Sequence, residues 1–582
     1  MSSPILSVMP WEISEILAII ISHLDQKSLA RSARVCKDWT GIALDGLWRD
    51  IDDLSHLLNL LSPFSKPEKG TNEQGNAVSV YKFKRPLASR DWTRFMRYSV
   101  RVRRIVYYQQ CARTWRKHLD SSVFRELSRT CRDPGQIFPN LQSLTWYANT
   151  EERQLHSLFF MQSRGLRYLE IRLHPSTESL PPCSMLLPAH LPHLTHLTLR
   201  FTTPVRRVEC EAMALLRSLS KLQKLTVPLY AITAPIMETL AALENLSDVT
   251  FSHPSEFENG SRMDVETFSP VLHEGAFPHI RRLCFSARLP DAILFLRSPF
   301  FPDYLSSLYV HVLIVDGPEI VQQFFLAVKD SCPALTDIHV DFMICPEVPI
   351  TVPGPPPNQR PSINTFRPLF ACRRIASFEF RWDYPLNLAD RDMEEFATSW
   401  PALEHLLLNC EPVIEHDAPQ LTLKALLPFA YHCRHLRELG LYIDADVPPP
   451  DPTVIPFKSL QKLRIGASKI TDSHQAALFL SQMFSLECNI VPGLRWPDAY
   501  GMALDDAGIF DERRMRINEY WVRWSEVVKI LPIVTRVRVE EKARRAALQR
   551  KLELLTKLRL ADMERCAKLE QEIQALRRQC MP

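Results

Sequence analysis

Glycine is scarce in this chain: there are fifteen among 582 residues, and no two are separated by a single residue. A dinucleotide-binding loop needs G-x-G, because the backbone must closely approach a pyrophosphate, so that class is excluded. Gly70 and Gly75 have the glycine spacing of a phosphate-binding loop, but Asn76 and Ala77 stand where Lys and Ser/Thr belong. Neither G-x-S-x-G nor H-E-x-x-H occurs, so no local motif argues for catalysis. The fourteen cysteines are scattered singly from Cys36 to Cys580 without a C-x-x-C pair. That removes the usual zinc-ligand spacing and predicts reduced, mostly buried thiols. No run approaches the ~20 apolar residues needed to span a bilayer. Met1 to Pro10 carry no basic residue, and Glu12 and Glu15 interrupt the apolar stretch that follows, which is unlike a secretion signal. The setting expected is intracellular, cytoplasmic or nuclear. With a net charge of +4, only the C-terminal tail offers a basic stripe, so neither a nucleic-acid nor a membrane partner is expected. No metal and no cofactor is expected either.

What is present is ordinary soluble-protein material, 46% hydrophobic and 23% charged, in a chain too long for one core unless that core is repetitive. Ile13, Ile16, Leu17, Ile20, Ile21 and Leu24 recur at helical spacing, which predicts one apolar face with Glu12, Glu15 and His23 off it. Asp25 to Ser28 form a polar break in which Asp25 or Ser28 is positioned to cap a second helix. A third helical period carries Ala43, Leu44, Leu47 and Trp48. Three short helices make a very small core, and Trp39 and Trp48 are more apolar area than it needs, which predicts docking on a partner.

The segments Ser22-His23-Leu24-Asp25, Ser28-Leu29-Ala30, Arg34-Val35-Cys36-Lys37-x-Trp39 and Leu47-Trp48-Arg49 resemble the body of an F-box. The resemblance implies a helical module that packs on a Skp-family adaptor, itself hung on a cullin. By position it implies Ile16, Leu17, Ile20, Leu24, Leu29, Val35 and Trp39 as adaptor-facing residues. Met9-Pro10-Trp11-Glu12 lies about one helical turn upstream of the place where the family's Leu-Pro usually stands.

From residue 138 onward a pattern recurs, a leading residue followed by x-x-L-x-L. Its twelve copies are led by Leu141, Leu166, Leu194, Leu222, Leu246, Ile280, Leu305, Leu335, Ile375, Leu403, Leu436 and Leu460. The leaders stand 24 to 40 residues apart, the period of leucine-rich repeats with insertions. Each copy predicts a short strand whose leucines point inward, then a return segment, so neighbours must stack to bury a core. The asparagine or cysteine step of the standard repeat is mostly missing, with Asn409-Cys410 the best candidate. Residues between the inward leucines are expected on a concave face: His196, Thr198 and Arg200; Asp337, His339 and Asp341; Glu379 and Arg381; and His405 and Asn409. That mixture of charges and rings suits protein recognition better than chemistry. Pro-rich Cys345–Ser362 and Val447–Pro456 are predicted to be extended loops.

Pro63–Val80 reads as a surface loop, and Tyr81–Leu127 as a basic, partly helical connector. Glu519–Leu531, with Trp521 and Trp524, is placed to cap the open end of the repeats. Arg538–Gln579 lacks Gly and Pro and predicts a long helix, for which a short coiled coil and a solvated terminal helix both fit.

The expected fold class is thus α/β: a three-helix F-box (8–52), a connector (53–137), an irregular leucine-rich-repeat-like solenoid (138–493), a cap (494–535) and a charged helix (536–582). This organisation is similar to that of fungal F-box proteins. It implies the substrate-recognition subunit of a Skp–cullin–F-box ubiquitin ligase rather than an enzyme, with an unidentified protein as substrate. A scaffold that uses the solenoid outside any ligase is the alternative.

Overall fold

The computed structural model describes residues 14–71, 77–108, 117–131, 133–147, 160–172, 191–201, 203–252, 260–342, 355–382, 384–412, 419–446, 455–466, 468–493 and 510–579. The Met9–Glu12 segment, most of both Pro-rich stretches, the loop through Gly75 and Cys580 lie outside these residues. Two compact units divide the chain between residues 348 and 349, and the C-terminal helix belongs to the second.

The first unit opens with three helices, α1 (Ser14–Ser22), α2 (Gln26–Ser32) and α3 (Lys37–Arg49). Asp25 caps α2 by accepting from the Ser28 backbone N–H at 2.8 Å, and its bonds with Ser28 hold its carboxyl below the ordinary value. Leu17, Ile21, Leu29 and Ala43 form the module's core, with Leu24, Ala33, Trp39, Ile42 and Leu47 packed half-buried against it. The chain then enters a parallel sheet directly. Asp50–Ile51 pairs with Arg104–Ile105, and Arg104–Tyr108 pairs in turn with Ser143–Tyr147.

From there the parallel ladder continues through strands beginning at Tyr168, His196, Lys224, Asp248, Arg282, Ser307 and Asp337. The second unit repeats the arrangement with strands beginning at Ser377, His405, Glu438, Lys462 and Asn489. Twelve of these strands begin two residues after a leading residue of the sequence pattern. Helices such as Ala234–Ala241, Leu289–Leu296 and Pro318–Ser331 make the return crossings, each with Pro in its first turn, where a missing N–H costs nothing. The pattern's second leucine becomes a continuous buried row, Leu144, Leu169, Leu197, Leu225, Val249, Leu283, Leu308 and Ile338. The architecture is therefore mixed α/β, with helices at the N-terminus, a large parallel sheet and a long C-terminal helix. Among the described residues no helix is long and apolar enough to cross a membrane.

Three local expectations are corrected. Pro63–Val80 is not only loop, because Glu68–Thr71 and Ala77–Tyr81 pair as an antiparallel hairpin joined by Lys117–Leu119. The Val78, Val80 alternation supplies the reason, with Val78 buried. Arg104–Tyr108, within the segment read as a helical connector, is a strand of the main sheet. Trp48, read with Trp39 as apolar area beyond what the module's core needs, packs half-buried against Tyr98 of the following segment, at 5.1 Å between ring centroids.

Candidate functional site

Helix α1 buries two side chains and presents three. Leu17 and Ile21, four apart, are 2% and 1% exposed, whereas Ile16, Ile19 and Ile20 are 37%, 61% and 47% exposed. At 100° per residue the run Ile19-Ile20-Ile21 cannot point one way, so the single apolar face read from the sequence is really two. Val35, in the turn between α2 and α3, is 63% exposed. That turn is held by the Thr40 hydroxyl, which donates to Ala33 O at 3.0 Å and Cys36 O at 2.8 Å. Arg101 fastens α3 from outside the module, donating to Gly41 O at 3.0 Å and to the Asp45 carboxylate. The result is a rigid small core wearing an outward apolar surface, the kind of surface that marks an interaction site.

Of the seven residues assigned to the adaptor, Ile16, Ile20 and Val35 are exposed. Leu24 and Trp39 are half-buried against the module core. Leu17 and Leu29 are corrected: at 2% and 7% exposed they hold the three helices together and have no surface to offer. Ile19, at 61% the most exposed of the three isoleucines, lies on the same helix outside that set.

On the sheet, the positions between buried leucines line up across strands. His196 packs at a tilt on Tyr168, 4.3 Å between ring centroids, and burial followed by the Lys224 charge pushes its imidazole below the ordinary value. Thr198 lies in register between Glu170 and Thr226. Arg200 donates to Glu170 at 3.1 Å and sits 5.6 Å over the Tyr147 ring, while the Tyr147 hydroxyl donates to Glu170 at 2.5 Å. Burial, then the neighbouring Glu170, raises the Tyr147 phenol. Tyr108 stacks on Tyr147 at 4.5 Å and is itself partly exposed. These rings and charges form one half-exposed polar and aromatic face.

Asp337, His339 and Asp341 follow one another along a single strand but do not form one open cluster. Asp337 accepts from the Thr336 hydroxyl at 2.5 Å. His339 stacks on Tyr309 at 4.1 Å with the rings nearly parallel. Asp341 is buried, a correction to the exposed position expected from alternation. His311 Nδ1 lies 2.8 Å from its carboxylate, the Tyr309 hydroxyl donates to it at 2.8 Å, and Tyr230 Oη meets His311 Nε2 at 3.2 Å. Burial opposes the charge, yet the His311 bond and the nearby His339 outweigh it and hold the carboxyl well below the carboxylate range. Among the described residues no group of three His, Cys, Asp or Glu side chains is placed to hold a metal ion.

This network yields a stability prediction. Asp341→Ala leaves the buried His311 and the half-buried Tyr309 hydroxyl without their shared partner and should cost about 3 kcal/mol, read as a lower urea midpoint. Because the folded carboxyl titrates below its unfolded value, its contribution is present at neutral pH and fades as pH falls below about 4. The Asp341→Asn protein should therefore show a flatter acid-unfolding profile than the wild type.

In the second unit Arg381 donates to Glu379 at 2.7 Å, and His405 lies 3.5 Å from the Glu438 carboxylate, which Arg464 also contacts. Asn409 is a second correction. It is buried at φ 44°, its side-chain oxygen accepting from Trp382 N at 2.9 Å and its amide donating to Tyr384 O at 2.7 Å. Its side chain thus satisfies backbone groups of the preceding turn rather than facing a partner.

Residues 14–53 match the family model described as F-box-like, which is the three-helix module and the short strand after it. F-box modules in general bind a Skp-family adaptor, which suggests for the chains that carry them a general substrate-recognition role in a ubiquitin ligase. No curated protein matches the chain.

Proposed function

We propose that this chain is the substrate-recognition subunit of a Skp–cullin–F-box ubiquitin ligase. The observation that carries the reading is the exposed apolar surface of Ile16, Ile20 and Val35 on a module that already has a closed core. Such a surface is costly in water unless something covers it, and a Skp-family adaptor is the partner that the F-box-like match favours. The parallel sheet acts as a leucine-rich-repeat-like solenoid, as the strand-per-pattern spacing favours, and offers its half-exposed face to a protein substrate. His196, Thr198, Arg200, Asp337, His339, Glu379, Arg381 and His405 remain on that recognition face; Asp341 and Asn409 support it from inside.

The mechanism is positional, and the chain itself makes and breaks no bond. The module anchors it to the adaptor and through that to the cullin, and the sheet holds the substrate. The ubiquitin carrier is thereby kept at high effective concentration near the substrate, in the cytoplasm or the nucleus. Co-expression with a Skp-family adaptor is the test: the full chain should co-purify with it at one-to-one stoichiometry, and a chain lacking residues 1–53 should not. Wild-type protein that binds no adaptor would overturn the reading in favour of a scaffold outside any ligase.

A further inference from the structure

The C-terminal helix runs from Phe510 to Gln579, and every residue from 539 to 578 is exposed. Ten large apolar side chains on that stretch, from Leu548 to Leu576, are at least half exposed. At about 1.5 Å per residue, Leu548 to Leu576 alone reach some 43 Å. A helical stretch this long, exposed on all sides from residue 539 onward, has only propensity and pairs such as Arg545–Glu541 (2.6 Å) to sustain it, whereas most helical stability comes from burying a face.

Written as heptads, the stripe places Leu552, Arg559, Cys566 and Ile573 at a, and Leu548, Leu555, Asp562, Leu569 and Leu576 at d. Arg559 and Asp562 interrupt it, but they carry opposite charges on adjacent layers. In a parallel pair an a side chain packs beside the partner's following d, so each Arg559 meets the other chain's Asp562. The flanking positions agree. In parallel register each g residue faces the partner's e residue five further on, which pairs Arg565 with Glu570 and Glu572 with Arg577. Beside the polar layers the same rule pairs Leu558 with Met563, adding apolar cover where the core is weakest.

We propose that the chain self-associates through residues 548–577 as a parallel, in-register two-stranded coiled coil, a second copy of this chain being the occupant of the exposed stripe. A dimer would present two adaptor-binding modules and two recognition faces together, which raises avidity for a substrate with two binding segments.

Full-length protein measured by light scattering should have twice the 67.2 kDa of one chain. Leu555→Glu with Ile573→Glu alters only exposed residues and should weaken association by roughly 100-fold without changing thermal unfolding of the rest. Charge reversal tests register. A chain with Glu570→Arg and Glu572→Arg, and another with Arg565→Glu and Arg577→Glu, should each dimerise poorly alone and form a heterodimer when mixed. Direction is tested with Cys566 in a Cys580→Ser background. Added diamide, reduced to its hydrazine, should take two electrons and two protons from a pair of Cys566 thiols and leave a chain-to-chain disulfide that Cys566→Ser abolishes. A monomer at all accessible concentrations overturns the proposal, as does a dimer indifferent to Leu555 and Ile573. A dimer without the Cys566 cross-link overturns the parallel register.

Discussion

Replacing Ile16, Ile20 and Val35 together by glutamate is expected to weaken adaptor binding by roughly a thousandfold, because about 1.5 kcal/mol or more is lost for each apolar side chain that an interface no longer buries. The same three changes should leave the module's thermal unfolding within a degree or two, since none of these side chains belongs to its core. Leu17→Ala and Leu29→Ala should behave in the opposite way. Each removes a buried methyl cluster from a core of four principal residues and should destabilise the module by about 3 kcal/mol. Their loss of binding would then be indirect, and a large excess of adaptor should restore it by trapping the folded form. The two groups of variants are separated by titration calorimetry alongside circular dichroism of the same samples. Glutamate variants that bind like the wild type would remove the α1 surface from the interface.

How far the sequence could be read depended on which force wrote the pattern. A strand with Leu at three fixed positions is visible because burial on one face of a sheet demands period two, and the demand recurs in every unit. Each pattern copy accordingly begins its strand at the same offset. Arg104–Tyr108 obeys the same rule with Val102, Ile105 and Tyr107 as its inward residues, all buried. It was missed because β-branched and aromatic side chains replace leucine and because the surrounding arginines suggest a solvated helix. Tertiary neighbours, not local composition, decide that segment.

The candidate sites were legible to a lesser degree. Alternation assigns a side chain to one face of a strand, but it cannot say whether that face is open at that point. Asp341 and Asn409 alternate correctly and are nonetheless buried, one because His311 and Tyr309 from the neighbouring strand close over it, the other because its amide completes backbone hydrogen bonds. Burial of a polar residue depends on partners 25 to 32 residues away in sequence, which no local period encodes. On α1 the difficulty was different. A helix that is apolar on two sides has no clear single face, and only packing shows that Leu17 and Ile21 turn inward while Ile16, Ile19 and Ile20 do not.

Trp524→Ala is expected to destabilise the second unit by about 4 kcal/mol, since it empties one of the largest buried side-chain sites. Trp524, Val527 and Leu531 form the buried face of the C-terminal helix where it packs on helix Ser473–Met483 and the edge strand Asn489–Pro492. Polar contacts fix the angle of approach. Trp524 Nε1 donates to Ser468 O at 2.8 Å, Arg523 donates to Ile470 O at 2.9 Å, and the Ser473 hydroxyl donates to Glu526 at 2.9 Å. The segment covers the last strand of the sheet, whose unpaired edge would otherwise be open to pairing with another chain. Trp524→Phe keeps most of the packing and loses only the indole donor, so about 1 kcal/mol is expected for it. Cys488, just before the edge strand, reports on the opening: burial pushes its thiol up to about 12 and shields it in the closed form. In the Trp524→Ala protein, Cys488 should react with a thiol reagent many times faster under native conditions, and the Asn489–Pro492 strand should exchange its amide hydrogens sooner. Unchanged labelling of Cys488 in that variant would mean that the edge strand is held by the sheet alone and that the helix is not its cap.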